Sequence, residues 1–81
     1  MACIYVLYSK SFHKFYTGAT RDLDKRLKIH NTGKVKSTRS FRPWKMIYSE
    51  EFETYSEAMK REKYLKSAAG RKWLKEKVNF K

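Results

Sequence analysis

The run Cys3-Ile4-Tyr5-Val6-Leu7-Tyr8 is β-branched, aromatic or apolar at every position. A strand with one wet face alternates apolar and polar residues, so a run without alternation belongs to a strand covered on both sides. That strand must sit in the middle of a sheet. Ser9 to Lys14 is polar and reads as a hairpin loop, and Phe15-Tyr16-Thr17-Gly18-Ala19 reads as a second strand. So short a connection favours antiparallel pairing.

The rest of the chain supplies the layers that cover this sheet. Thr20 or Asp22 can cap a first helix, with Asp22 and Asp24 in its first turn, where the helix dipole favours acids. Leu23, Leu27 and His30 share one face of that helix, and Asn31-Thr32-Gly33 ends it with a C-terminal glycine. Lys34 to Arg42 is a basic, polar loop, and Pro43 restricts Arg42 to extended geometry. Trp44 to Phe52 reads as a third strand. A second helix starts at Thr54 or Ser56 and runs to about Ala69, where Gly70 breaks it. Arg71 to Lys77 forms a short last helix anchored by Trp73 and Leu74. The expected order is ββαβαα, an α+β fold with a small three-stranded antiparallel sheet flanked by helices. At 81 residues the chain has room for one domain, spanning 1–81. A domain of that size buries only about 60% of its unfolded surface. Five Phe, six Tyr and two Trp therefore carry much of a thin core.

Composition narrows the partner. Twenty Lys/Arg against eight Asp/Glu give a net charge of +12, which favours a polyanion, usually nucleic acid. The lone cysteine, Cys3, forms no intrachain disulfide, and with only His13 and His30 beside it no zinc-type ligand cluster can be assembled. No apolar stretch approaches the ~20 residues of a membrane helix. The N-terminus shows no secretory pattern. A cytoplasmic protein is expected, with association to the nucleoid compatible with its charge. The oligomeric state is left open.

Glu62 is the local anomaly. On the second helix Tyr55, Ala58, Leu65 and Ala69 fall on one side, and Glu62 lies in the middle of that stripe. Carboxylates in such positions are paired or metal-bound. Helix geometry alone leaves two readings: an ion pair with Arg26 or a neighbouring Lys, or a metal ligand or acid/base group. Arg26 is either a solvated helix residue or a guanidinium clamp for a phosphate. His30 is either a packed histidine near a helix end or part of the same site. Tyr5 and Tyr16 are either core aromatics or phenols that orient water and relay a proton. Gly18, lacking a side chain, lets a backbone or a ligand approach the sheet closely.

Tyr5, Tyr16-Thr17-Gly18, Arg26, His30-Asn31-Thr32-Gly33, Pro43-Trp44, Tyr48 and Arg61-Glu62, taken in order, resemble the GIY-YIG nuclease family, especially its short, stand-alone bacterial members. The resemblance covers the chain from Cys3 to about Leu74. It implies that Cys3-Ile4-Tyr5 and Tyr16-Thr17-Gly18 stand for the two half-motifs. It further implies that Arg26 contacts the scissile phosphate, that His30 is the frequent histidine of the same helix, and that Glu62 holds a single divalent metal. Cys3 replaces the first glycine and Thr17 the middle isoleucine, while Ala19 stands where some branches carry a basic residue. The late asparagine of homing enzymes has no convincing match; Asn79 is a poor candidate.

The function this implies is a divalent-metal-dependent endonuclease that hydrolyses phosphodiester bonds, in DNA rather than RNA, with Mg²⁺ or Mn²⁺ as one bound ion. Tyr5 or Tyr16 would help deprotonate the attacking water. Lys34, Lys36, Arg39 and Arg42 on one side, and Lys66, Arg71 and Lys72 on another, would neutralise phosphates. No base-reading module is legible, which points to branched, flapped or single-stranded DNA rather than a sequence. The alternatives are a non-catalytic nucleic-acid-binding module, an RNA-associated protein among them, and a structural partner subunit whose aromatics form a protein interface.

Overall fold

The doubly apolar run forms the central strand of the sheet. In a computed structural model that describes residues 1–36 and 38–78, β1 (Ala2–Ser9) pairs antiparallel with β2 (Lys14–Thr20) on one side and β3 (Lys45–Phe52) on the other. Ser37 in the basic loop and Asn79 near the C-terminus lie outside the described residues. The sheet order is β2-β1-β3, and three helices complete the ββαβαα fold: α1 (Leu23–Thr32), α2 (Tyr55–Lys66) and α3 (Ala68–Lys77).

Alternation along β1 separates two cores. Ile4 and Val6 join Ala19, Ala58, Leu65 and Leu74 under α2 and α3. Tyr5 and Leu7 join Trp44 on the opposite face, with Leu23 and Leu27 of α1 and Met46 of β3 packed against them. Ile4, Val6 and Leu7 are fully buried, and each such side chain contributes roughly 1.5–3 kcal/mol. The register sets Tyr5 opposite Gly18 on one neighbour and Ser49 on the other.

The helix starts are written locally. Asp22 caps α1, its Oδ1 accepting from the Lys25 amide at 3.1 Å, and Gly33 ends the helix at φ 84°. Thr20, the other candidate cap, instead accepts from the Asp22 amide at 3.1 Å. Thr54 caps α2 through a capping box with Glu57. Arg42 is extended before Pro43 as expected, and Arg39–Phe41 adds a 3-10 turn inside the basic loop.

Two expectations about the C-terminal helices require correction. The break between them falls at Ser67, and Gly70 lies inside α3. Ser67 serves both helices: its amide closes the end of α2 on the Tyr64 carbonyl, and its hydroxyl accepts from the Gly70 amide at 3.2 Å. Gly70 is the point of closest approach, because a Cβ there would collide with the Tyr64 carbonyl and lie 2.6 Å from the Leu65 Cα. Ala69 consequently leaves the apolar stripe of α2 and is exposed on α3, whereas Ala58 and Leu65 are buried as expected. Arg61, beside Glu62, points to the α3 side, where it donates to Glu50 at 2.8 Å and lies 4.6 Å from the Trp73 ring centroid.

Candidate active site

Tyr5 reaches from β1 across β2. Its phenol occupies the space that a side chain at position 18 would need: a Cβ on Gly18 would sit 2.5 Å from the Tyr5 oxygen and 2.7 Å from Cζ. The group that the missing side chain admits is thus Tyr5 itself. Tyr5 is only 2% exposed, and its hydroxyl lies 3.0 Å from Nε2 of His30, which α1 delivers to the same point at 1% exposure. The other imidazole nitrogen, Nδ1, lies 2.9 Å from the Thr38 hydroxyl. That hydroxyl donates to the Val35 carbonyl at 3.4 Å, which leaves it to accept from His30. The chain of bonds then has one direction: Tyr5 O–H donates to Nε2, and Nδ1–H donates to Thr38.

Burial and charge reinforce this arrangement. Burial, and then the neighbouring Tyr16 phenol, push the Tyr5 pKa far above the ordinary tyrosine value; Arg26 pulls it down and Glu62 pushes it up. Burial, and then the Arg26 guanidinium, hold His30 below the usual histidine range. Tyr5 is therefore a neutral donor and His30 a neutral acceptor around neutral pH. Tyr16 stands half-buried beside them, its ring centroid 4.6 Å from that of His30 and 6.2 Å from that of Tyr5.

The fold brings Tyr5, Tyr16, Arg26, His30 and Glu62 together from β1, β2, α1 and α2. Arg26 is exposed, and makes no ion pair among the described residues. Its charge acts on both Tyr5 and His30. Glu62 is partly buried, at 17% side-chain exposure, and its Oε2 accepts from Nζ of Lys66 at 2.7 Å. The ion pair is made with a neighbouring lysine one turn on, and not with Arg26. Among the described residues Oε1 of Glu62 has no hydrogen-bond partner, and no group of three His, Cys, Asp or Glu is assembled.

The basic residues divide. Lys66 and Arg71 line a cleft shared with Tyr16. Lys72 lies on the outer side of α3 with Lys75 and Glu76. Lys34, Lys36, Arg39 and Arg42 stay exposed beyond the C-terminal end of α1. Arg42 folds back over Gly33, its Nε donating to the Arg39 carbonyl at 2.8 Å.

Sequence reasoning missed Thr38, which appeared only as a polar loop residue. It is 2% exposed, and its carbonyl accepts from the Trp44 indole at 2.9 Å. Asn31 ties the same loop down, accepting from the Trp44 amide at 2.7 Å and donating to its carbonyl at 3.1 Å. The local signal was the apolar pair Pro43-Trp44 closing a largely basic, polar segment, which marks a fixed point for the loop.

A strand-borne Tyr5, a facing Tyr16-Thr17-Gly18, and an arginine, histidine and glutamate brought in by two helices define a domain class: the chain belongs to the GIY-YIG nuclease family. The family model for the GIY-YIG catalytic domain matches residues 1–77. The chain is 42% identical over 81 residues to the UPF0213 protein YazA of Bacillus subtilis, covering 95% of this chain and 81% of that protein. It is 45% identical over 67 residues to a UPF0213 protein of Clostridium perfringens, covering 82% and 71%. A solution NMR structure of the UPF0213 protein BH0048 from Bacillus halodurans superimposes with a TM-score of 0.54 at 35% identity, covering 91% of this chain and 82% of that one. These relatives support the small bacterial GIY-YIG type. Among the described residues no helix is long and apolar enough to cross a membrane, and Cys3 is a free thiol.

Nucleases of this family generally depend on a divalent metal, and the residues here fit one ion. Among the described residues Oε1 of Glu62 has no hydrogen-bond partner, and its Lys66 partner is 53% exposed. A single carboxylate suits a hard divalent ion that keeps most of its waters.

Proposed function

We propose that this chain is an endonuclease that hydrolyses phosphodiester bonds in DNA with one Mg²⁺ or Mn²⁺, and that it selects branched, flapped or single-stranded sites rather than a sequence. The observation that carries this reading is the convergence of a neutral donor, a neutral acceptor, a cation with no ion pair among the described residues and a half-engaged carboxylate at one edge of the sheet. Packing alone has no use for such a set.

Glu62 would hold the divalent ion, which would neutralise charge on the scissile phosphate and the leaving 3′ oxygen. The protein's own residues carry the proton. The attacking water gives a proton to the Tyr5 oxygen while the Tyr5 proton passes to Nε2 of His30. Thr38 holds His30 in the tautomer that leaves Nε2 open. Tyr16, half-exposed beside them, orients the water. Arg26 then balances the charge that develops on phosphorus. Lys34, Lys36, Arg39, Arg42, Lys66, Arg71 and Lys72 supply phosphate contacts without base readout, and Gly18 acts through the space it leaves for Tyr5.

A second reading has one observation in its favour, the 2.7 Å pair between Glu62 and Lys66. In that reading Glu62 only orders Lys66, and the chain binds nucleic acid without cutting it. Purified protein incubated with supercoiled plasmid, branched DNA and single-stranded DNA, with Mg²⁺, Mn²⁺ or EDTA, separates the two. The nuclease reading expects metal-dependent cutting that Glu62→Ala and Tyr5→Phe lose while still binding. Binding without cutting on every substrate, or equal cutting by the variants, would establish the second.

A further inference from the structure

A cleft of about 380 Å³ runs along the outer edge of β2, where the end of α2 and the middle of α3 approach it. This is within the ~300–1,000 Å³ range of ligand-sized sites. Leu65 and Leu74 contribute apolar surface, and Phe15 contributes an aromatic ring beside the Tyr16 stretch of the edge strand. Lys14, Lys66, Arg71 and Lys75 supply cations, and among the described residues no carboxylate belongs to the lining. Phe15 remains 42% exposed although its ring lies 4.9 Å from that of Tyr8. Phe12, further along the same hairpin, is 47% exposed.

Two of these residues also belong to the site described above: Tyr16, whose ring turns to the opposite face of the sheet against His30, and Lys66, which holds Glu62. Through Lys66, whatever occupies the cleft lies next to the carboxylate at which the phosphate would be cut. An apolar floor, a flat aromatic wall and surrounding cations match a planar ring carrying a phosphate. In a duplex both faces of each base are already stacked, so only an unpaired nucleotide can present a face to Phe15.

We propose that this cleft is a docking site for an unpaired nucleotide of the DNA strand, with its base against Phe15 and its phosphates on Arg71, Lys75 and Lys14. The proposal rests on the nuclease reading for its occupant, and supplies the feature by which such a nuclease would tell a flap or single strand from a duplex.

The test measures binding with all metal chelated, so cutting plays no part in it. The probe is a short oligodeoxythymidylate with one central 2-aminopurine, whose fluorescence reports stacking, compared with a duplex of equal length. Phe15→Ala is expected to weaken single-strand binding about tenfold, within the stacking contribution of a base on an aromatic ring. It should also remove the fluorescence change and leave duplex binding within about twofold. Arg71→Ala with Lys75→Ala should flatten the single-strand salt dependence by roughly 0.7 for each phosphate no longer neutralised. Phe15→Leu keeps an apolar contact with Tyr8 but not the flat ring, and should behave as Phe15→Ala while melting like the parent. Equal losses on both probes, unchanged single-strand binding by the Phe15 variants, or tighter binding of the matching oligoribonucleotide would each overturn the assignment. A protein that shows the expected binding yet cuts nothing would sink the nuclease reading and leave the cleft standing. One that cuts with unaltered strand preference in the Phe15 variants would do the reverse.

Discussion

The Tyr5 hydroxyl donates to Nε2 of His30 over 3.0 Å inside the protein, and neither group is more than 2% exposed. A strand and a helix thus share one buried hydrogen bond that links the sheet to the proposed proton path. Tyr5→Phe removes only the hydroxyl. Cutting under single-turnover conditions is expected to fall by about 10²–10⁴, the usual contribution of a positioned proton-transfer group. Affinity for DNA in EDTA should stay the same. A variant that cuts at the parental rate would remove Tyr5 from the chemistry.

Thr38→Val keeps the shape of the side chain but leaves Nδ1–H of His30 without an acceptor. A buried donor left unpaired costs about 1–3 kcal/mol. The urea midpoint should drop with an unchanged slope, and nitrogen NMR of His30 should shift from one tautomer to a mixture. Cutting should fall with it. Thr38→Ser restores the hydroxyl and should recover both. Recovery of stability without recovery of rate would show that Thr38 only holds the loop.

The pH dependence has two signs. His30 lies below its ordinary value near 6.5, so between its folded pKa and 6.5 the unfolded chain binds more protons than the native one. Stability therefore falls as pH drops through that window, and His30→Gln should flatten this limb in calorimetric melts. Tyr5 lies above 10.0, so native stability is present below pH 10 and lost above it, as the unfolded phenol ionises first. Cutting, which needs unprotonated His30, should rise through a midpoint below 6.5 and then stay level to alkaline pH. A rate that climbs only above pH 8 would contradict His30 as the acceptor.

Glu62→Gln should abolish metal-dependent cutting and, in EDTA, tighten DNA binding by a few-fold. It removes a carboxylate facing a polyanion and releases Lys66 from its 2.7 Å pair. Fluorescence anisotropy against salt concentration measures this directly. Unchanged affinity would mean that Glu62 lies off the DNA path.

Gly70→Ala sets local propensity against packing. Alanine favours a helix interior by about 1 kcal/mol over glycine. Its Cβ would nevertheless meet the Tyr64 carbonyl and come within 2.6 Å of the Leu65 Cα, both backbone. Overpacking costs about 1–3 kcal/mol, so net destabilisation is expected, seen as a lower melting temperature. A stabilised variant would show that the α2–α3 elbow opens without cost.

The central strand was legible because Cys3 to Tyr8 has no polar position, and only a central strand tolerates that. Glu62 was legible as a carboxylate inside an apolar stripe, though its partner was not, since Arg26 of the first helix and a neighbouring lysine were both open. The break between α2 and α3 was misread because Gly70 is the strongest local punctuation. A glycine inside a helix is tolerated when backbones must meet, and Ser67 can cap in both directions. Tyr5 could not be assigned to a core or a site, because both faces of its strand are buried. Thr38 was invisible, since its bonds to His30 and Trp44 are made only once the loop has closed.

Alternation along β1 has a consequence for how this protein can vary. Even positions such as Ile4 and Val6 meet the two C-terminal helices, and odd positions such as Tyr5 and Leu7 meet α1 and the tyrosine cluster. Inserting or deleting one residue in the strand would trade the two sets, bringing aliphatic side chains to His30 and a phenol into the aliphatic layer. Substitution tolerance along these residues should therefore oscillate with a period of two. The even sites would answer to volume alone, and Tyr5 to the loss of a single oxygen atom.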